Sequence, residues 1–294
     1  MPRISEIQIR DPFILSHDNM LYLYGSTDKN IWKAPASGFE VYRSSGDLKN
    51  FDGPYPAFTP KEDFWSNENF WAPEVYFYKG GFYMFATFKP KDGRRGTAVL
   101  RSESPLGPFV PWSSGPVTDA RWECLDGSLY IEDGKPWMIF CHEWQQVHDG
   151  EICAVPLTED LRQADGEPTL LFCASEARWS KPLPKRAGEN YVTDGPFMYK
   201  TSGGDLLMLW SSFGETGNYC IGTARSDNGK LSGRWIQSKM PIYEADGGHG
   251  MLFKIGGKLY LAIHTPNTTP DERPIFVAME EFEGGIRPVA EIIS

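Results

Sequence analysis

Three features of the sequence predict an all-β protein, folded as a five-bladed β-propeller with four antiparallel strands in each blade. One hairpin motif recurs five times along the 294 residues, and such a repeat constrains architecture more tightly than any local signal. The recurrences begin at Asp11, Ala72, Asp126, Asp194 and His249, 61, 54, 68 and 55 residues apart, which leaves each unit room for four strands and their loops. The 30 Gly and 23 Pro are spread along the chain, as turns between short strands require and a disordered linker would not.

The units follow in order. Asp11-Pro12-Phe13-Ile14-Leu15 leads to LYLYGS, Ala72-Pro73-Glu74-Val75-Tyr76 to FYMFAT, and Asp126-Gly127-Ser128-Leu129-Tyr130 to PWMIFC. Asp194-Gly195-Pro196-Phe197-Met198 leads to LLMLWS, and His249-Gly250-Met251-Leu252-Phe253 to LYLAIH. Each pair is an apolar strand, a turn such as Lys79-Gly80-Gly81, and a second aromatic-rich strand, which is the pattern of a β-hairpin. The outer strands are legible in FEVYRSSGDLKNF, TAVLRSESPLGPF, EICAVPLTEDL, YCIGTARSDNGKLSGRW and IFVAMEEF. Five such blades account for residues 1–294 as a single domain, with radial closure protecting the sheet edges. A β-sandwich also spaces its turns regularly, but does not repeat one motif five times.

Composition narrows the partners. Lys plus Arg total 29 against 39 Asp plus Glu, and a formal charge of -10 repels phosphate backbones and anionic lipid, so neither nucleic acid nor membrane is expected. A neutral ligand such as a carbohydrate fits better. The segment MPRISEIQIRDPF lacks the apolar stretch of a signal peptide, so the chain as written is expected in the cytoplasm unless a leader has been trimmed. Five cysteines, Cys124, Cys141, Cys153, Cys173 and Cys220, lack CxxC spacing and read as reduced packing residues.

In an antiparallel hairpin the start of the first strand and the end of the second share a face, so the five hairpins ring one end of the channel. That face collects Asp11, Glu74, Asp126, Asp194 and His249 from strand starts. From strand ends it collects Asp28, Lys89, His142, Glu143, Trp144, Ser212 and His264. Carboxylates gathered in this way raise one another's pKa, which is costly unless they are paired or at work. Trp71, at a strand start, is a candidate platform for stacking a sugar ring, with Glu74 and His142 as candidate sugar contacts. Taken singly, Asp11 before Pro or Asp126 before Gly reads equally as a turn residue.

The runs RDPFI, WAPEV, LDGS, TDGPFMYK and GGHGMLF, in blade order, resemble glycoside hydrolase family 43, and the resemblance covers nearly the whole chain. It implies Asp11 as the general base that activates water and Asp126 as the residue that orients the acid and tunes its pKa. It implies His249 at the central channel beside a structural calcium or sodium ion, and Arg273 as a contact to sugar hydroxyls. No cofactor is expected for the chemistry itself. The departure is in the fourth blade, where the family places Glu before Gly-Pro as general acid and this chain has Asp194, one methylene shorter. The register of TDGP favours Asp194 as the acid. Glu143, in Cys-His-Glu-Trp on the same predicted face, is the alternative acid.

The resemblance implies an inverting glycosidase that releases a terminal sugar, α-L-arabinofuranose first, with β-xylose or galactose as alternatives, from plant-type saccharides. Two rival readings stand beside it. One is a retaining fructan-type glycosidase, for which Glu123-Cys124 matches the Glu-Cys pair that carries the acid in those propellers. The other is a sugar-binding propeller that has lost catalysis with its altered acid.

Overall fold

The computed structural model describes residues 1–28, 31–183 and 188–294. Its strands form five four-stranded antiparallel sheets, each built from one continuous stretch of chain in sequence order. Blade 1 contains β1 (Arg10–His17), β2 (Met20–Ser26), β3 (Phe39–Ser44) and β4 (Asp52–Phe58), and blade 2 contains β5 (Glu68–Tyr78), β6 (Gly81–Lys89), β7 (Gly96–Ser102) and β8 (Val110–Pro111). Blade 3 contains β9 (Cys124–Glu132), β10 (Lys135–His142), β11 (Glu151–Pro156) and β12 (Thr169–Cys173). Blade 4 contains β13 (Asp194–Lys200), β14 (Leu206–Phe213), β15 (Tyr219–Ser226) and β16 (Trp235–Gln237). Blade 5 contains β17 (Gly248–Ile255), β18 (Lys258–Thr265), β19 (Arg273–Phe282) and β20 (Gly285–Ile293). The propeller expected from the repeat is the observed fold.

Neighbouring sheets face each other, so their second strands are apolar on both sides and read as continuous hydrophobic runs. Met20–Ser26, Gly81–Lys89 and Leu206–Phe213 are buried along nearly their whole length. Between blades 1 and 2 the filling is aromatic: Phe39, Phe58, Phe64, Phe70 and Phe88 pack edge to face or tilted, with Phe70 and Phe88 centroids 4.9 Å apart. Blades 3 and 4 close on Trp179 and Trp210, 4.5 Å apart. Among the described residues no strand is exchanged to close the ring; β1 packs directly on β17. All five cysteines are free. No helix among the described residues is long and apolar enough to cross a membrane.

One backbone feature repeats with the blades. Near the start of each inner strand one residue takes a left-handed conformation and interrupts the ladder: Asp11 at φ 53°, Ala72 at 47°, Asp126 at 57°, Gly195 at 54° and His249 at 47°. Such a bulge kinks the strand and re-aims a side chain. Its amide has left the ladder and needs another acceptor, and in four blades that acceptor is a side chain near the end of the second strand of the preceding blade. Ala72 donates to Ser26 Oγ (2.8 Å), Asp126 to Thr87 Oγ1 (2.9 Å), His249 to Ser211 Oγ (2.8 Å), and Asp11 to His264 Nδ1 (3.1 Å). Blade 3 offers Cys141 at this position, opposite Leu125, and a thiol is a weak acceptor. The Gly195 amide donates to Asp126 Oδ2 instead, at 3.0 Å.

This ring corrects the register of the fourth repeat. Asp194 pairs with Ser211 just as Arg10 pairs with Ser26, so Gly195, not Asp194, is the counterpart of Asp11, Asp126 and His249. Glycine stands there because a Cβ would lie 2.7 Å from His249 Cδ2. The fourth-blade carboxylate thus comes from one residue earlier than the motif alignment implied.

Thr87 is fully buried, and Thr87→Val removes only the acceptor of the Asp126 amide. The unsatisfied amide is expected to cost about 1–3 kcal/mol, seen as a lower denaturant midpoint at unchanged slope, with Thr87→Ser close to wild type.

Candidate active site

The inner-strand bulges open onto a cavity of about 460 Å³, within the usual size of ligand pockets. Asp11, Asp126 and His249, three of the left-handed residues, line it, and so do Arg10, Trp71, Leu125 and Asp194, each one residue earlier on its strand. Glu143, Trp144 and Arg95 complete the side formed by blades 2 and 3.

His249 holds the carboxylates together. Its Nδ1 lies 3.1 Å from Asp11 Oδ1 and 3.7 Å from Asp126 Oδ2. Burial alone would depress its pKa, but Asp11, Asp126, Asp194 and Glu74 hold it above the ordinary imidazole value. Burial would in turn raise Asp11; His249 and Arg10 outweigh it, and Ser26 Oγ donates to Asp11 Oδ2 at 2.6 Å. Asp11 is therefore held below the usual carboxylate range. His264 has the opposite fate. Burial and the Arg10 charge drive its pKa to about 3, so it is neutral, with Nδ1 accepting from the Asp11 amide and Nε2 donating to Asn267 Oδ1 at 3.1 Å.

Asp126 differs from Asp11 although it occupies the same position in its blade. Burial pushes its carboxyl up to about 7, against the pull of His249, and the charges of Asp194 and Asp11 add to the rise. Asp194 is raised by burial too, and Tyr219 donates to its Oδ2 at 2.9 Å. Glu143 is pushed to about 7, mainly by burial. The charges acting on it are Arg95, which lowers it, and Asp194 and Glu123, which raise it. Glu143 stands immediately before a single helical turn, Trp144–Val147, and its carboxylate accepts from Arg95 Nη2. The arrangement combines a carboxylate kept ionised with several carboxyls able to hold a proton near neutral pH, as acid–base chemistry requires.

Three expected sugar contacts lie elsewhere. Glu74 is buried behind the cavity wall, raised to about 7 by burial and bonded to Tyr76. His142 turns away from the cavity, stacked on Trp122 at 4.2 Å and bonded through Nδ1 to Glu151 (2.7 Å) and through Nε2 to Gln146 (3.1 Å). Arg273 spends its guanidinium on the Pro270 and Glu272 carbonyls, at 3.0 and 2.7 Å. Asp28, Lys89 and Ser212, also expected on this face, bond Ser37, Glu68 and Ser180 respectively. Trp71 does line the cavity, with its indole N–H anchored on the Ile31 carbonyl at 2.7 Å.

Sequence reading missed other residues. Arg10, directly before Asp11, reaches the cavity wall, fixed by Glu272 (3.2 Å) and Asn267 Oδ1 (2.7 Å), and its place in RDPF was the available signal. Arg95 and Tyr219 carried none, because neither belongs to a repeated motif. No group of three or more His, Cys, Asp or Glu among the described residues is spaced to hold a metal ion.

The sequence profile described as Glycosyl hydrolases family 43 matches residues 3–278. A solved endo-arabinase from Bacteroides thetaiotaomicron VPI-5482 is 41% identical, covers 97% of this chain and 98% of its own, and superposes with a TM-score of 0.88. A solved thermostable family-43 glycoside hydrolase is 25% identical, over 98% of this chain and 94% of its own, at a TM-score of 0.81. The extracellular exo-alpha-(1->5)-L-arabinofuranosidase ArbA of Cellvibrio japonicus is 23% identical over 88% of this chain and 79% of its own length. With a propeller fold, a carboxylate-lined cavity and a profile match over nearly its whole length, this chain belongs to glycoside hydrolase family 43.

Proposed function

We propose that the protein hydrolyses terminal α-L-arabinofuranosides with inversion, with Asp11 as base and Glu143 as acid. The observation that carries the assignment is the contrast between the two carboxyls: Asp11 is held ionised by His249 and Arg10, while Glu143 keeps its proton to about pH 7. In the reaction Asp11 takes a proton from water, whose oxygen bonds to the anomeric carbon as the glycosidic bond breaks. Glu143 gives its proton to the departing oxygen, and the sugar leaves with inverted configuration. The sugar class follows from the arabinan-directed names of the two relatives.

Several observations favour Glu143 over Asp194. Inversion needs acid and base roughly 6.5–9.5 Å apart, with sugar and water between them. Asp194 lies under the His249 charge together with Asp11 and Asp126, whereas the charges acting on Glu143 are those of Arg95, Asp194 and Glu123. Tyr219 donates to Asp194, which favours its ionised form. Asp194 then serves to keep the proton on Glu143, and its charge also raises Asp126. The fructan-type reading is weakened because Glu123 is bound to the Arg95 amide (3.1 Å) and Nε (3.3 Å). An endo-acting reading is favoured by the name of the 41% identical enzyme. An ion, calcium or sodium, enters only as one held mainly by water near His249, outside the chemistry.

Incubated with linear α-1,5-arabino-oligosaccharides, the protein is expected to release monomeric arabinose, first seen by NMR as the inverted anomer. Release of oligomers would favour the endo reading, and no release from arabinosides or fructosides would favour sugar binding alone. Asp11→Asn should lose about 10²–10⁴-fold in kcat with its melting temperature near wild type. Removing the acid should harm substrates with poor leaving groups selectively. Glu143→Ala is thus expected to lose activity on the oligosaccharide far more than on a nitrophenyl arabinofuranoside, and Asp194→Ala to lose comparable activity on both; the reverse pattern would make Asp194 the acid. If calcium is bound, EDTA lowers the melting temperature and added calcium restores it. Sodium would instead show as stabilisation by NaCl that KCl does not give, and no response to any of these removes the ion.

A further inference from the structure

We propose that Arg95 is the positioning residue of the acid, fixing the Glu143 carboxyl in the cavity wall and setting the pH above which the enzyme stops donating its proton. The inference rests on the reading of Glu143 as the acid. Arg95 lies in the turn before β7, in blade 2, while Glu123 and Glu143 flank the inner hairpin of blade 3. Its side chain is nearly buried and joins both: Nη2 donates to Glu143 Oε2, and Nε to Glu123 Oε2 at 3.3 Å. The Arg95 amide donates to the same Glu123 oxygen at 3.1 Å. On its other side the guanidinium lies over the Trp71 ring, 5.2 Å from the centroid, and that ring is anchored by Ile31.

A planar guanidinium can bond two carboxylates and stack on an aromatic ring at once, which an ammonium cannot. Glu143 itself is one residue removed from His142, whose bonds to Glu151 and Gln146 hold that end of the strand. Gln146 Oε1 also accepts from the Glu123 amide at 2.7 Å, so both carboxylates are fixed to one frame and Arg95 bridges them. The charged groups facing Glu143 are Arg95 from blade 2, Glu123 from the entry to blade 3 and Asp194 from blade 4. Asp194 and Glu123 favour the protonated acid and Arg95 opposes them. Arg95 thereby trades some proton retention at high pH for a fixed direction of donation.

The test is the pH dependence of kcat/KM, whose descending limb reports loss of the acid's proton. In the wild type that limb is expected near pH 7. Arg95→Met should move it to higher pH and lower kcat on an arabino-oligosaccharide about tenfold or more, with much less loss on a nitrophenyl arabinofuranoside. Arg95→Lys keeps the charge without the fork, so its limb should stay close to wild type while kcat falls. It also covers the case in which Arg95→Met fails to fold. A folded Arg95→Met with an unmoved limb, or equal losses on both substrates for either variant, would reduce Arg95 to a structural staple between blades. Failure of the underlying reading looks different, because Glu143→Ala would then show no leaving-group selectivity whatever Arg95 does.

Discussion

The left-handed residue at the entrance of each inner strand is the constraint on which the site depends. Five kinks in equivalent places turn five side-chain positions towards one end of the channel, and each expels an amide from its ladder. Four of those amides are taken up by Ser26, Thr87, Ser211 and His264 on the preceding blades, so the bonds that shape the site also tie blade to blade. Strain in a non-glycine residue of this conformation costs of order 1–3 kcal/mol and persists where surrounding structure over-determines it. Here the interblade acceptors and the apolar second strands provide that surrounding structure.

The one blade that breaks the rule explains two others. Because Cys141 offers no good acceptor, the Gly195 amide turns to Asp126, and a carboxylate buried beside Asp11 and Asp194 gains a fixed orientation. Because His249 fills the space over Gly195, the fourth blade must present its carboxylate from Asp194. The same imidazole, its pKa raised by Asp11, Asp126, Asp194 and Glu74, offsets part of the cost of gathering these acids in one place. Identical side chains at equivalent positions, Asp11 and Asp126, consequently end on opposite sides of the ordinary carboxylate pKa.

A second centre of charge lies in the cavity wall. Glu143 and Glu123 share Arg95, in the way that Asp11 and Asp126 share His249. Asp11 is held below the usual carboxylate range while Asp126 and Glu143 are pushed up to about 7, so the cavity offers one ionised carboxylate and carboxyls able to keep a proton. That division is what distinguishes a hydrolytic site from a mere cluster of acids.

The sequence by itself determined the architecture, because hairpin periodicity and turn chemistry are local and a fivefold repeat leaves little choice of closure. It also singled out Asp11, Asp126, Asp194, Glu143, His249 and Trp71, all of which line the cavity, since a motif in register marks a position on the strand. Register within the fourth motif was beyond it: DGP and DP look alike until the ladder shows Asp194 opposite Ser211. So was the fate of Glu74, His142 and Arg273, whose strand ends fall on the expected face but whose side chains bond to Tyr76, Glu151 and backbone carbonyls. Strand position is set by neighbours in sequence. The direction of a long side chain and the protonation of a carboxyl are set by partners from other blades, such as Arg95 for Glu143, which only the closed ring brings together.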